Sequence, residues 1–310
     1  MTRAKYVVGA LAIAALILGA CGGGGAGTSA KPKIGLALST LNNPFFVSVR
    51  DGAQKAADAA GLELVVADAA NDNAKQADAI SNFVTQQVKV IIVNPTDSDA
   101  VVPSVKKAND AKIPVIAVDR AANGGILASF IASNNVAAGN LGAQTLAKAV
   151  GQNAKVAMLI GIPGASAARD RGKGFTDGLA DASVNTKGMQ LVAQQVANFK
   201  RDEALNVMQN LLTAHPDLTG VFCQNDDMAL GAIQAIKAKG LGGKVFVVGV
   251  DGTADAVTAI KAGDMYGTIA QQPEVMGQLA VENAAKIVKG QTPDAHIDVP
   301  LKVITKENAA

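Results

Sequence analysis

The chain of 310 residues contains no tryptophan, two tyrosines, two cysteines and two histidines, and only 3% of it is aromatic. Each scarcity removes a class of chemistry. Cys21 and Cys223 are the only thiols, and Cys21 falls at the end of a leader-like segment, so no disulfide staples the fold and Cys223 reads as a small buried hydrophobe in a strand. His215 and His296 sit beside turn signals and make no metal set with Cys223. Asn71-Asp72-Asn73 lacks the glycine and spaced acids of a calcium loop. From Lys33 onward, past the glycine-rich segment, the chain has no G-x-G-x-x-G, Walker A, G-x-S-x-G or H-E-x-x-H string, and Gly172-Lys173-Gly174-Phe175-Thr176-Asp177-Gly178 has the wrong glycine spacing. The expectation is a protein without catalytic residues, metal or cofactor. Large charge imbalance is also missing, since 28 basic residues face 26 acidic ones. Without Arg3 and Lys5 the balance is zero, which argues against a nucleic-acid partner.

What is present begins with a basic Met1-Thr2-Arg3-Ala4-Lys5, an apolar run from Tyr6 to Leu18, and Leu18-Gly19-Ala20-Cys21. The run is too short to span a bilayer comfortably and has the layout of a secretory signal. Cysteine directly after Leu-Gly-Ala is similar to a bacterial lipobox. Residues 1–20 are therefore expected to be a lipoprotein signal peptide, with Cys21 lipidated and residues 21–32 a glycine-rich tether. This predicts a site outside the cytoplasm, in the periplasm or on the outer face of the cell membrane, with the membrane met only through the lipid.

Past the tether, short β-branched runs alternate with longer amphipathic stretches. Strands are predicted at 34–38, 62–67, 90–93, 115–118, 156–160, 191–196, 220–223 and 245–250. Phe46, Val49, Ala53, Ala56 and Ala60 recur at helical spacing, as do Ala77, Ile80, Val84 and Val88. Apolar runs with little alternation call for parallel sheets covered on both faces, hence an α/β chain with two doubly wound parallel-sheet domains. The polar break Ala132-Ser133-Asn134-Asn135 marks a crossover. Extended segments at 268–271 and 299–301, flanking a helix at 274–288, mark two more. The predicted lobes are 33–133 with 272–299 and 134–271 with 300–310, joined by a three-segment hinge.

In open parallel sheets ligands bind beyond the carboxyl ends of the strands, so the residues there matter most. After the first strand, Asn43 stands beside Phe45 and Phe46. An amide next to rings matches a sugar, whose hydroxyl rim needs hydrogen bonds and whose C–H faces stack on aromatics. Later strand ends add Asp119 and Arg120, Arg169 and Arg171, Phe199, Gln224 to Asp227, and Asp251-Gly252. Carboxylates, guanidinium forks and amides together make the inventory a polyol requires. Taken singly, each has a structural explanation. Asn43 caps a helix whose first residue is Pro44, Asp227 favours a helix N-terminus, and Asp119 and Asp251 each cap the next segment. The recurrence of such residues in both halves tips the reading toward a ligand.

Several strings carry a resemblance: Ser39-Thr40-Leu41-Asn42-Asn43-Pro44-Phe45-Phe46, Asn94-Pro95-Thr96-Asp97-Ser98-Asp99-Ala100, Ser166-Ala167-Ala168-Arg169-Asp170-Arg171-Gly172, the 206–216 segment ending His215-Pro216, Gln224-Asn225-Asp226 and Asp251-Gly252-Thr253. From Lys33 to Lys306 the chain resembles the bacterial periplasmic ribose-binding proteins. The resemblance implies a two-lobed clamshell that passes a monosaccharide, ribose first, to an ABC permease and its ATPase. It implies that Asn43, Asp119, Arg120, Arg171, Asn225, Asp251 and Gln271 hydrogen-bond the sugar while Phe45, Phe46 and Phe199 pack on it. Gln271 enters through the resemblance alone. At one contact position the family pattern has Phe where this chain has Val250, which is expected to widen the pocket wall toward another pentose or hexose. Service to a chemoreceptor or sensor kinase remains an alternative output, and the expected state is a monomer. A cytoplasmic repressor with the same core would open on a helix-turn-helix, whereas this chain opens on an export signal. An enzyme on a doubly wound fold is the remaining competitor.

Overall fold

A computed structural model describes residues 30–309; the predicted signal peptide, Cys21 and most of the tether lie outside them. The first part of the chain forms β1 (Lys33–Leu38), α1 (Pro44–Ala60), β2 (Glu63–Asp68), α2 (Asn73–Thr85), β3 (Val90–Val93), α3 (Val102–Asp110), β4 (Val115–Val118) and β5 (Ser129–Ala132). Then come α4 (Asn135–Ala149), β6 (Lys155–Ile160), α5 (Ser166–Ala180), β7 (Gln190–Val196), α6 (Arg201–Ala214) and β8 (Leu218–Cys223). The rest is α7 (Asp226–Ala238), β9 (Phe246–Asp251), α8 (Ala254–Ala262), β10 (Gly267–Ala270), α9 (Pro273–Val288), β11 (His296–Asp298) and β12 (Lys302–Thr305).

The strands make two six-stranded sheets, ordered β11-β5-β4-β3-β1-β2 and β12-β10-β9-β8-β6-β7. Every pairing is parallel except β10 with β12. Parallel strands must be covered on both faces. In the first sheet α1 and α9 cover one face over Leu36, Ile92 and Ile116, and α2 and α3 cover the other over Ile91, Val93 and Val115. In the second, α4 and α5 enclose Met158, Phe222 and Val248, while α6, α7 and α8 enclose Leu159, Val221 and Val247. Phe175 of α5 stacks on Phe222 of β8 with centroids 4.6 Å apart and ring planes 9° apart.

The chain passes between sheets three times. It leaves β5 at Ser133 and Asn134 to enter α4, leaves β10 at Gln271 and Gln272 to enter α9, and leaves β11 through Val299, Pro300 and Leu301 to enter β12. The eight predicted strands are present with ends shifted by two residues at most. Of the other strands, β10 falls on the extended segment expected at 268–271, and β5, β11 and β12 are not among those predicted, because Ser129, His296 and Lys302 open them with polar residues in place of a β-branched run. The edge strands β2 and β7 also depart from the expectation of two buried faces, since both are partly exposed along most of their length.

Candidate functional site

Each sheet reverses its strand order once, between β1 and β3 in the first and between β6 and β8 in the second, and the carboxyl ends of both sets of strands face one cleft. Such a reversal point is where an open α/β sheet leaves a crevice. Asn43 closes α1 from outside, its Oδ1 accepting the Phe45 N–H at 2.8 Å, with Pro44 at the first helical position. The capping explanation of Asn43 therefore holds, and the cap leaves Nδ2 for the cavity. The turn it fixes brings Phe45 and Phe46 to the cavity edge to edge, with centroids 5.2 Å apart.

Three lining residues, Asp119, Phe199 and Asp251, have φ of +64°, +59° and +132°. These are left-handed values that side-chain-bearing residues take only when their surroundings impose them. At Asp119 the Arg120 N–H returns to the Val118 carbonyl at 2.7 Å, a three-residue turn that throws the Asp119 and Arg120 side chains inward. Phe199 lies flat over Gly161, where a Cβ would sit 2.1 Å from the ring, so only glycine at 161 lets the ring in. Asp251 ends β9, and the loop behind it is tied down by Asp226, whose Oδ2 accepts the Gly252 and Thr253 N–H groups, each at 2.8 Å.

Asn43, Phe45, Phe46, Asp119, Arg120, Arg171, Phe199, Asn225, Asp251 and Gln271, joined by Ala167, line one narrow cavity of about 20 Å³. A roomier hollow of about 450 Å³ around Phe246, Tyr266 and Lys148 contains no buried charged side chain.

In the small cavity Asp119, Arg120 and Arg171 are 3% exposed and Asp251 and Gln271 6%. Arg171 stands 3.8 Å from Asp251, and Arg120 Nε stands 3.6 Å from Asp119. The Arg120 guanidinium also lies over two rings, 5.1 Å from Phe46 in the first lobe and 5.3 Å from Phe199 in the second, a cation–π sandwich across the cleft. Burial pushes the Asp251 carboxyl well above the usual carboxylate range, with the negative Asp226 and Asp119 adding and with Arg171 and Gln271 opposing. Burial likewise raises Asp119 and lowers Arg120 to about 10, in each case against the attraction of the other. Asp119 Oδ1, Arg120 Nε and Gln271 Oε1 are fully buried with no hydrogen-bond partner among the described residues. Buried polar atoms normally find partners, so these three orphans, all on residues that line the cavity, are open valences of the kind that hydroxyl groups fill.

The lobes also touch without passing through the cavity. Ser98 N–H donates to the Gly164 carbonyl at 3.0 Å, Ser166 N–H donates to Ser98 Oγ at 3.1 Å, and Ala121 N–H donates to Ser166 Oγ at 2.9 Å.

Val250 does not join the site. It is fully buried in the core under α4 and α5 with Phe222 and Ile269, whereas Asp251, the last residue of β9, leaves the pleat with φ +132° and reaches the cleft at the strand end. Its expected effect, a wider pocket wall, is not seen. Arg169 likewise does not line the cavity and is bonded to the Gly164 carbonyl at 2.7 Å. Asp226 is a structural anchor, and Asp227 pairs with Arg201 at 2.8 Å. Sequence reasoning missed two contributors. Ala167 carries no chemical signal. Asn94, fully buried after β3, donates to the Val118 carbonyl at 3.0 Å and to Asp119 Oδ2 at 3.3 Å, and its place at a strand end was the available clue.

The family model for the periplasmic binding protein domain matches residues 34–292. The chain belongs to the periplasmic binding protein family. The ribose import binding proteins of Salmonella typhimurium and Escherichia coli are 47% and 46% identical to it over 307 residues, 99% of this chain and of each relative. That of Bacillus subtilis is 43% identical over 281 residues, 91% of this chain and 90% of that protein. Among solved structures, a periplasmic solute-binding protein of an ABC transporter from Actinobacillus succinogenes, with bound D-allose, matches with a TM-score of 0.83 at 35% identity, covering 90% of this chain and 99% of that one. The Caulobacter myo-inositol binding protein bound to myo-inositol matches with a TM-score of 0.84 at 35% identity, covering 90% and 94%. The two parallel-sheet lobes are thus those of periplasmic binding proteins, a family of transporter solute receptors, and no helix among the described residues is long and apolar enough to cross a membrane.

Proposed function

We propose that this periplasmic binding protein captures one monosaccharide, ribose first, between its lobes and presents it to an ABC permease and its ATPase. The single observation that carries the reading is the set of buried, unpartnered polar atoms of Asp119, Arg120 and Gln271 in a cavity walled by Phe45, Phe46 and Phe199. Ribose comes first because relatives named for ribose import match at 43% to 47% over nearly the whole chain. The D-allose and myo-inositol neighbours match at 35% and support a hexose or cyclitol as the second reading.

The lobes, 33–133 with 272–299 and 134–271 with 300–310, close about the three connections near Ser133, Gln271 and Pro300. The sugar meets Asn43, Asp119 and Arg120 on one side and Arg171, Phe199, Asn225 and Asp251 on the other only when both sides have come together. Moving a population from mostly open to mostly closed takes about 5 kcal/mol of differential affinity, and a micromolar dissociation constant supplies about 8 kcal/mol. Export by residues 1–20 and lipidation at Cys21 hold the receptor at the outer face of the cell membrane. The closed form is also the shape a chemoreceptor or sensor kinase would recognise.

Titration calorimetry with ribose, allose, myo-inositol and other pentoses tests the reading. One-to-one binding at micromolar or tighter is expected for ribose. Asp251→Ala leaves the buried Arg171 without its anion and is expected to weaken ribose by at least about 100-fold, while Phe45→Ala costs far less. Unchanged affinity in Asp251→Ala would remove this cavity as the site, and heat with another sugar alone would move the assignment to the second reading.

A further inference from the structure

We infer that Asn135 is a positioning residue that ties the first interlobe connection to the ligand-facing guanidinium of Arg171; the inference rests on the sugar-binding reading above. Asn135 is the first residue of α4, directly after the Ser133-Asn134 crossing, and it is buried at 6% exposure. It does not line the cavity. Its Oδ1 accepts the Arg171 Nε–H at 2.8 Å, and the Gln224 carbonyl accepts Arg171 Nη1 at 2.6 Å. Two of the directions in which the guanidinium can donate are thus fixed by the protein, one of them by a residue at the hinge. The contact to Asp251 is longer, at 3.8 Å, so Arg171 is held in place chiefly by neutral acceptors and keeps its remaining donors for the cavity.

The main chain of Arg171 is held by the same helix. A Cβ on Gly139, one turn beyond Asn135, would lie 2.1 Å from the Arg171 carbonyl oxygen, and a Cβ on Gly174 would lie 1.9 Å from the Val136 carbonyl oxygen. So α4 and α5 meet backbone to backbone here. With the carbonyl pressed on α4 and Nε bonded to α4, Arg171 has no freedom to move apart from the helix that leaves the hinge. A second connection makes a parallel link, since Gln271 Nε2 donates to Asp251 Oδ1 at 2.9 Å. Both members of the buried Arg171–Asp251 pair are therefore held by residues at the crossings, and a shift in either crossing shifts a ligand contact.

The test compares Asn135→Leu, which keeps the shape and removes the acceptor, with Asn135→Asp, which keeps an acceptor. Ribose affinity by calorimetry is expected to fall about 10- to 100-fold in Asn135→Leu and to return to within about threefold of wild type in Asn135→Asp. A purely packing role would not separate these two variants in that order. The second measurement is the ¹⁵N–¹H signal of Arg171 Nε, assigned by its loss in Arg171→Lys. It is expected to exchange slowly with solvent in the wild-type chain with or without ribose, and quickly in Asn135→Leu. Affinity within twofold of wild type in Asn135→Leu, no recovery in Asn135→Asp, or a fast-exchanging Nε–H in wild type would each overturn the inference. The wild-type signal decides even where Asn135→Leu does not fold. A wild-type chain that takes up no ribose would instead defeat the reading of the site, and the guanidinium signal would still report on Asn135.

Discussion

Asp226 is the residue whose chemistry is most constrained. Fully buried at the start of α7, it accepts from Gly252 N, Thr253 N and Thr253 Oγ1 through Oδ2, and from Thr268 Oγ1 at 2.7 Å through Oδ1. Burial pushes its carboxyl up to about 6 in spite of those donors, from an ordinary 3.8. The folded chain thus holds a proton that the unfolded chain releases between about pH 4 and pH 6, so this group makes stability fall as pH rises through that window. Asp226→Asn turns an amide N–H₂ toward backbone donors and is expected to cost about 2 to 3 kcal/mol at pH 7. Urea unfolding at pH 4.5 and 6.5 checks both parts. Wild type is expected to gain more stability on acidification than the variant does, and parallel behaviour would show that Asp226 does not titrate there. The same residue scale explains why Asp251 belongs to the cavity and Val250 to the core: Val250 is held in the pleat under α4 and α5, and Asp251 turns out of it at the strand end with φ +132°.

At the scale of elements, the packing rests on helix pairs joined through glycine. Gly52 of α1 and Gly277 of α9 each lie where a Cβ would come within 2.0 Å of a carbonyl oxygen of the other helix, and Gly231 of α7 meets Arg201 of α6 at 2.1 Å. The abundance of glycine in the chain, 32 residues, is used partly in these contacts. Two glycines of α4 separate stability from binding. Gly142→Ala presses on the Phe222 ring, 2.4 Å away, and is expected to cost about 1 to 3 kcal/mol of stability with ribose affinity little changed. Gly139→Ala presses on the Arg171 backbone and is expected to lower both. Denaturant titration with calorimetry on each variant distinguishes them, and equal affinity losses would refute the separation.

At the scale of the whole molecule, the proposed closure has a component that a bound sugar would not supply. The Ser98–Gly164, Ser98–Ser166 and Ala121–Ser166 hydrogen bonds join the lobes outside the cavity. Each is worth about 0.5 to 1.5 kcal/mol. Replacing both serines by alanine removes two of them, which is expected to shift the equilibrium toward the open form and to weaken ribose about 5- to 30-fold without touching a ligand contact. Calorimetry paired with small-angle scattering of the unliganded protein measures the two effects. A weaker ribose complex with no change in the open population would place the serines in some other role.

The alternation of β-branched runs with helical repeats was enough to determine two covered parallel sheets and eight of their strands, because burial on both faces leaves its mark in local composition. Asn43, Asp119, Arg120 and Asp251 were legible for a related reason: polar residues that closely follow apolar strands either cap or bind, whereas Arg171 lies well inside α5. What the sequence could not supply was direction and partnership. Val250 and Asp251 are adjacent in the chain, and only the folded backbone, which turns out of the pleat at Asp251, sends one inward and the other to the cleft. Asn94 and Asn135 acquire their roles from neighbours 25 and 36 positions away, and Ala167 from the shape of the cavity, and such relations leave no local periodicity. The glycines show the same limit. Their number is written in the composition, but which of them lets two backbones meet was decided by the tertiary structure, since close approach is a property of two elements and not of one.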